Sequence, residues 1–219
     1  AAMIGCQRHR GPDDEGMEIL DAGPFGVGLG QRRLAILDLS QAGHQPMVSP
    51  RTGSVLTYNG ELYGFQPLRE KLVKLGHSFR GHSDTEVILY ALDEWGPECL
   101  RELNGMYALG YYRPRERTML LARDPMGIKP LYYTTRNGVL AFASEIRPLV
   151  LAGLVPREIN MAAVAGLLAY GAVQEPDTFY RELVNFRAGC YQEFALTPGG
   201  AIEPGPLTKH WDFPALDPS

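Results

Sequence analysis

The stretch GMYALGYYRPRERTMLLARDPMGIKPLYYTTRNGVLAFAS (105–144) decides the fold class. It contains four short apolar runs rich in aromatics: MYALGYY (106–112), TMLLARD (118–124), PLYYTT (130–135) and VLAFAS (139–144). Turn residues separate them. Runs of this length with such punctuation predict consecutive antiparallel strands. Upstream, GPFGVGLGQRRLAILDLS (23–40) reads as a strand with a Gly-rich start, ending at Asp38–Ser40, and GSVLTYNGELYGF (53–65) reads as another. Inside the second, Asn59-Gly60 is locally a hairpin-turn signal.

Helical patterns stand between these strands. PLREKLVKLG (Pro67–Gly76) has Pro in its first turn, Leu68, Leu72 and Leu75 on one face, and a Gly stop. SDTEVILYALDEWG (Ser83–Gly96) opens with a capping box formed by Ser83 and Glu86. INMAAVAGLLAYG (Ile159–Gly171) is apolar on most sides and reads as a buried helix. CYQEFAL is a late strand. Helices and strand meanders in this arrangement predict an α+β fold with layered sheets. A dinucleotide fold is excluded, because no GxGxxG follows a strand.

Composition narrows the functional classes. The 219 residues carry 21 Lys+Arg and 25 Asp+Glu, a formal net charge of −4, and the pI is near 5.8. That balance offers no broad electrostatic footprint for nucleic acid. No apolar run is long enough to cross a membrane, and the N-terminus lacks the apolar region of a signal peptide. Three cysteines (Cys6, Cys99, Cys190) make no disulfide framework, so a cytoplasmic location is expected. With 25 Gly and 17 Pro, turns are many and a helix bundle is excluded. The five histidines have no metal-ligand spacing, and neither CxxC, GxSxG nor a phosphate loop occurs. What remains is a set of polar clusters: Arg8–Asp13, Arg32-Arg33, Asn59-Gly60-Glu61 and Ser83-Asp84. Each has a local explanation. RHRGPD fits a solvated loop, Arg33 a surface charge, and Asp84 a favourable charge in a first helical turn.

Taken in order, RHRGPDDEG, RRLAILDLSQAGHQPM, YNGELYGF, SDTEVILYALDEWG, LNGMYALGYY, LLARDPMGIKPLYY and LAFASEIRPLV resemble the glutaminase domain of glutamine-dependent asparagine synthetases. That domain is a class II glutamine amidotransferase of the N-terminal-nucleophile (Ntn) hydrolase type. The resemblance is strong from Arg8 to about Val150 and continues more loosely to KHWDFP. It implies a four-layer αββα sandwich of two antiparallel sheets. It also implies an amidotransferase domain over residues 1–195 and an exit segment over 196–219, leading toward a synthetase domain.

The resemblance further implies a glutamine site. Arg33 would bind the α-carboxylate through its guanidinium fork, and Glu61 and Asp84 would bind the α-ammonium. The Asn59 side-chain amide and the Gly60 N–H would form the oxyanion hole, and the backbone of Leu34, Ala35, Ile36 and Leu37 would line the same pocket. The implied partners are L-glutamine and a synthetase domain in cis or trans, with a homodimer also allowed. No metal or cofactor is expected in this chain. ATP and Mg are implied for the synthetase domain, whose SGGxDS loop does not occur in this sequence.

The sequence also departs from the family pattern. The family begins with Cys-Gly-Ile on its first strand, and that Cys is the nucleophile, with its own α-amino group as base. AAMIGCQRHRGPD aligns with the end of the following helix, so the first strand and its Cys are expected to be missing here. Cys6 lies too close to RHRGPD to replace it. Cys99 reads as a small buried hydrophobe. Gly64 stands where the family usually has Asn. The expected function is the glutaminase part of an asparagine synthetase-like enzyme. The alternative is a degenerate, non-catalytic domain serving as a structural or interaction module.

Overall fold

Strand alternation sorts the apolar side chains of the central sheet into two sets, and those sets define the layers. The computed structural model describes residues 2–34 and 43–213. Its largest sheet has seven strands. At its centre are β4 (Val55–Leu62), β5 (Gly105–Arg113) and β6 (Thr118–Arg123). The short β3 (Met47–Val48) flanks β4, and β10 (Cys190–Leu196) flanks β6. β11 (Ile202–Pro204) and β12 (Thr208–Lys209) both pair with β10. Every pairing is antiparallel.

On one face of this sheet, Leu56, Tyr58, Tyr107, Leu109, Tyr111, Leu120 and Ala122 pack against α2 (Gln66–Lys74) and α3 (Asp84–Trp95). On the other, Val55, Ala108, Tyr112, Met119, Leu121 and Phe194 form an inter-sheet core with Val27 and Leu29. The facing strands are a pair, β1 (Asp14–Asp21) with β2 (Gly26–Arg33), and a three-stranded sheet. The latter is β8 (Ala141–Ala143), β7 (Tyr132–Thr134) and β9 (Val184–Asn185) in that order. A third core, around Ala141, Ala143 and Leu149, joins this layer to α4 (Ile146–Leu151), with Met3 of the short α1 (Ala2–Gly5) packed against it. Helices, sheet, sheet, helices is the expected αββα order. Each fully buried Leu or Phe stabilises such cores by about 1.5–3 kcal/mol.

The four runs between 105 and 144 are all strands, though not one meander. β5 pairs with β6 and β7 with β8, while β6 turns to β10 and the chain crosses to the second layer between β6 and β7. Asn59-Gly60 is no turn: both residues lie inside β4, paired with Ala108 and Tyr107. A dipeptide signal does not register that the flanking runs continue one strand. The segment from 159 does form a helix, α5 (Met161–Tyr170), capped by the Asn160 side chain and by Gly171 in the left-handed region. It is not buried as expected. Only Ala163 is covered, while Leu168 is 82% and Tyr170 76% exposed. All-round apolarity here did not translate into burial. Within the stretch read as an exit segment, 196–219, residues 196–210 complete β10 and supply β11 and β12, and His210 is buried with its ring nitrogen Nε2 donating to the Arg123 carbonyl at 2.9 Å. The end read for the strand of residues 23–40, at Asp38–Ser40, lies outside the described residues; β2 itself runs to Arg33.

The two sheets approach closely at Gly110, where an added Cβ would stand 2.4 Å from the Phe142 ring. Gly110→Ala is therefore expected to cost about 1–3 kcal/mol through overpacking, lowering the melting temperature by several degrees. Phe142→Leu in the same chain is expected to recover part of that loss, as thermal unfolding of the single and double variants will read.

Candidate functional site

The outer edge of β4 is where a strand neighbour runs out. β3 covers only Val55 and Leu56. Beyond it, the backbone groups pointing away from β5 are those of Tyr58, Gly60 and Leu62, because successive residues of a strand alternate their hydrogen-bonding edge. Two of the three N–H groups are capped by side chains. Tyr58 N–H donates to Gln45 Oε1 at 2.7 Å, and Leu62 N–H donates to Asp84 Oδ2 at 2.9 Å. Among the described residues no side chain or loop carbonyl caps the Gly60 N–H between them. Gly60 must be glycine for a separate reason: a Cβ there would lie 2.3 Å from the Met106 carbonyl oxygen of β5.

This edge opens on a cavity of about 910 Å³. Of the residues singled out from the sequence, Arg33, Leu34, Asn59, Gly60, Glu61 and Asp84 all line it. Ala35, Ile36 and Leu37 lie outside the described residues. The elements explain the convergence. β2 ends at Arg33, β4 carries Asn59, Gly60 and Glu61, and α3 presents Asp84 in its first turn. Asn59 points toward the second sheet layer, where its Nδ2 donates to Ser144 Oγ at 3.2 Å. Gln31 crosses the same gap, accepting from Thr57 Oγ1 at 2.8 Å and donating to the Tyr58 carbonyl at 3.0 Å.

Asp84 is 5% exposed and well supplied with donors. Its Oδ2 accepts from Tyr58 Oη at 2.9 Å as well as from Leu62 N–H, and its Oδ1 accepts from Thr85 N–H at 2.9 Å. Burial, and then the Asp84 carboxylate, push the Tyr58 phenol far above its ordinary range, so it remains a donor. Half of the predicted capping box forms: Ser83 Oγ accepts from Glu86 N–H, but the Glu86 side chain does not return to Ser83 N–H. The Glu86 carboxylate accepts from the N–H groups of Arg80 and Gly81, fixing the approach to the helix.

The RHRGPD segment is a short 3-10 turn (Arg8–Arg10) rather than a free loop. His9 and Arg10 both bond Glu145, at 2.9 and 3.2 Å. Burial raises the Glu145 carboxyl, but the bonds from His9 and Arg10 outweigh it and hold the group below its usual range. None of the three cysteines lines the cavity. Cys6 Sγ donates to the Met3 carbonyl, and Cys99 and Cys190 are buried, with burial pushing the Cys99 thiol up to about 12.

One side of the cavity has a distinctive wall. Every residue from Gly26 to Leu34 lines it, as does every residue from Val139 to Ser144. Odd and even positions both contribute, so the cavity meets β2 and β8 edge-on. Among the described residues β2 pairs only with β1, and β8 only with β7. The cavity thus runs between two free strand edges and reaches the polar groups at the end of β4. Tyr58, Gln45, Gln31 and Ser144 were not singled out from sequence. Tyr58 stood in the quoted motif YNGELYGF, Gln45 in RRLAILDLSQAGHQPM and Ser144 in LAFASEIRPLV, but nothing in the sequence marks which residue caps a strand edge.

Comparison with known proteins identifies the family and the fold. Residues 1–201 match the glutamine amidotransferase domain family. Asparagine synthetase [glutamine-hydrolyzing] 1 of Bacillus subtilis (strain 168) is 36% identical over 194 residues, which is 89% of this chain and 29% of that protein. Asparagine synthetase [glutamine-hydrolyzing] 3 of the same organism is 34% identical over 178 residues, 80% of this chain and 28% of that protein. The chain thus spans less than a third of the length of these two curated relatives. Among solved structures, the glutamine phosphoribosylpyrophosphate amidotransferase of B. subtilis superposes with a TM-score of 0.65 at 17% identity, over 96% of this chain and 46% of that one. The fold is therefore that of the Ntn-type amidotransferases, and the chain belongs to the glutamine amidotransferase domain family, matching the glutaminase part of asparagine synthetases.

Proposed function

We propose that this chain is the glutamine-binding glutaminase part of an asparagine synthetase-like amidotransferase. The observation that carries the reading is the uncapped Gly60 N–H, set between two capped neighbours on a strand edge that opens on the cavity. A fixed backbone donor needs no reorganisation to stabilise a carbonyl oxygen as it becomes an oxyanion. The Asn59 amide, one residue away, is the second donor. Arg33 takes the α-carboxylate of glutamine in a forked ion pair, and Glu61 and Asp84 take the α-ammonium. Leu34, just past the end of β2, lines the same pocket.

Hydrolysis needs a nucleophile. In this reading a cysteine enters at the head of an extended segment lying between β2 and β8, with its α-amino group as base. Its sulfur attacks the side-chain carbonyl of glutamine, the C–N bond breaks, and ammonia leaves carrying the transferred proton. Water then cleaves the thioester to glutamate and restores the thiol. The ammonia passes to a synthetase domain in cis or trans, where ATP and Mg would activate aspartate or a similar acceptor. A cytoplasmic setting suits such chemistry and the free cysteines.

Calorimetric titration with L-glutamine tests the binding site. The 219-residue chain is expected to bind it, and Arg33→Ala to weaken binding about tenfold or more, the usual worth of a charge-assisted bond at roughly 1.5–3 kcal/mol. Equal affinities would remove Arg33 from the site. The same chain is expected to release no ammonia from glutamine, since its thiols lie outside the cavity. Activity that vanished in Cys6→Ser would overturn this. Joining a Cys-Gly-Ile strand and the start of its helix ahead of residue 1 is expected to raise the melting temperature and switch on glutaminase activity together. Changing that added Cys to Ala is expected to keep the stability and abolish the activity. Stability without activity in the Cys form would favour the non-catalytic alternative.

A further inference from the structure

The Asp84 carboxylate is more crowded than a simple counter-ion to an ammonium group. A carboxylate offers about four acceptor positions. Three are taken here: Oδ2 receives Tyr58 Oη and Leu62 N–H, and Oδ1 receives Thr85 N–H. No partner occupies the fourth, on Oδ1, among the described residues. Two of the three donors are backbone groups, set by the fold of β4 and α3. The third is a side chain that sequence reasoning passed over. Tyr58 reaches Asp84 because strand alternation turns it to the α3 face of β4, while Asn59 and Glu61 turn to the opposite face.

We propose that Tyr58 is a positioning residue for α-ammonium recognition: its hydroxyl saturates Oδ2 and locks the Asp84 carboxylate so that Oδ1 alone presents an acceptor to the ligand. This rests on the glutamine site proposed above and adds the means by which one buried carboxylate is held for one cation. The benefit is pre-organisation. A carboxylate already held by three donors loses little freedom when the ammonium arrives, and its orientation is fixed before binding. Replacing the hydroxyl by hydrogen leaves the aromatic packing of Tyr58 against α3 in place. It removes one of the two bonds that define the carboxylate plane at Oδ2.

The test compares two ligands by calorimetric titration of the 219-residue chain: L-glutamine, and glutaramic acid, which is glutamine without its α-amino group. Wild type is expected to bind glutamine more tightly than glutaramic acid. Tyr58→Phe is expected to weaken glutamine binding about tenfold, the effect of losing one hydrogen bond to a charged group, and to leave glutaramic acid binding unchanged. Adding Tyr58→Phe to Asp84→Asn is expected to cause no further loss, since the two act through one carboxylate. Three results would overturn the proposal: no loss for glutamine, an equal loss for both ligands, or additive losses in the double variant. Equal wild-type affinity for the two ligands, or binding of neither, would instead overturn the glutamine site itself and this proposal with it.

Discussion

Helix α3 is held to the central sheet by a carboxylate near each end, and the layered arrangement depends on that pair. Asp84, in the first turn, bonds Tyr58 and Leu62 of β4. Asp93, about two and a half turns later, accepts from the hydroxyls of Ser49, Thr52, Ser54 and Tyr111. Apolar packing between α3 and the sheet is extensive but non-directional. The two carboxylates add direction: one anchors the helix to β4, the other to β5 and the turn that leads into β4. Removing either would leave buried donors without an acceptor, a penalty that usually exceeds the net worth of the bonds themselves.

The same constraint shapes the site. A strand edge that ends inside a protein must have its N–H groups satisfied by something other than a neighbouring strand. β4 does this with Gln45 and Asp84, both brought in from outside the sheet. The group left between them is held in place by the capping on either side, so the donor at Gly60 is rigid because its neighbours are satisfied. Glycine at that position answers to the β5 backbone passing behind it, and in this way sheet packing and site chemistry set the same residue.

The sequence exposed these features unequally. The helices at 66–74 and 84–95 were legible from capping residues and apolar periodicity, and the strand layers from the aromatic-rich runs, because those signals are local. The crossing from β6 to the second layer was not, since pairing partners are chosen by the whole sheet. Asn59-Gly60 carried a strong turn signal that the eight residue pairs between β4 and β5 override. The site residues were assembled through resemblance: nothing in RRL, NGE or SDT taken separately brings Arg33, Asn59 and Asp84 to one cavity. Tyr58, Gln45 and Ser144 stayed hidden because their role is to cap or orient a neighbour, which depends on edges and faces that only the assembled fold defines.

Helix α5 leads to a different kind of consequence. It has ten residues, no charged side chain, and a single buried position, Ala163. Isolated helices shorter than about 12–15 residues are marginal in water, and most helical stability in proteins comes from tertiary packing. α5 has little of that packing, so its hydrogen bonds are sustained chiefly by its two caps. Its amide protons should exchange with solvent through local opening, on a faster clock than those of β4 and β5, which wait for unfolding of the whole domain. Because its apolar side chains already face water, melting α5 changes little solvent-exposed area. It therefore contributes helical signal without contributing much to the heat capacity of unfolding.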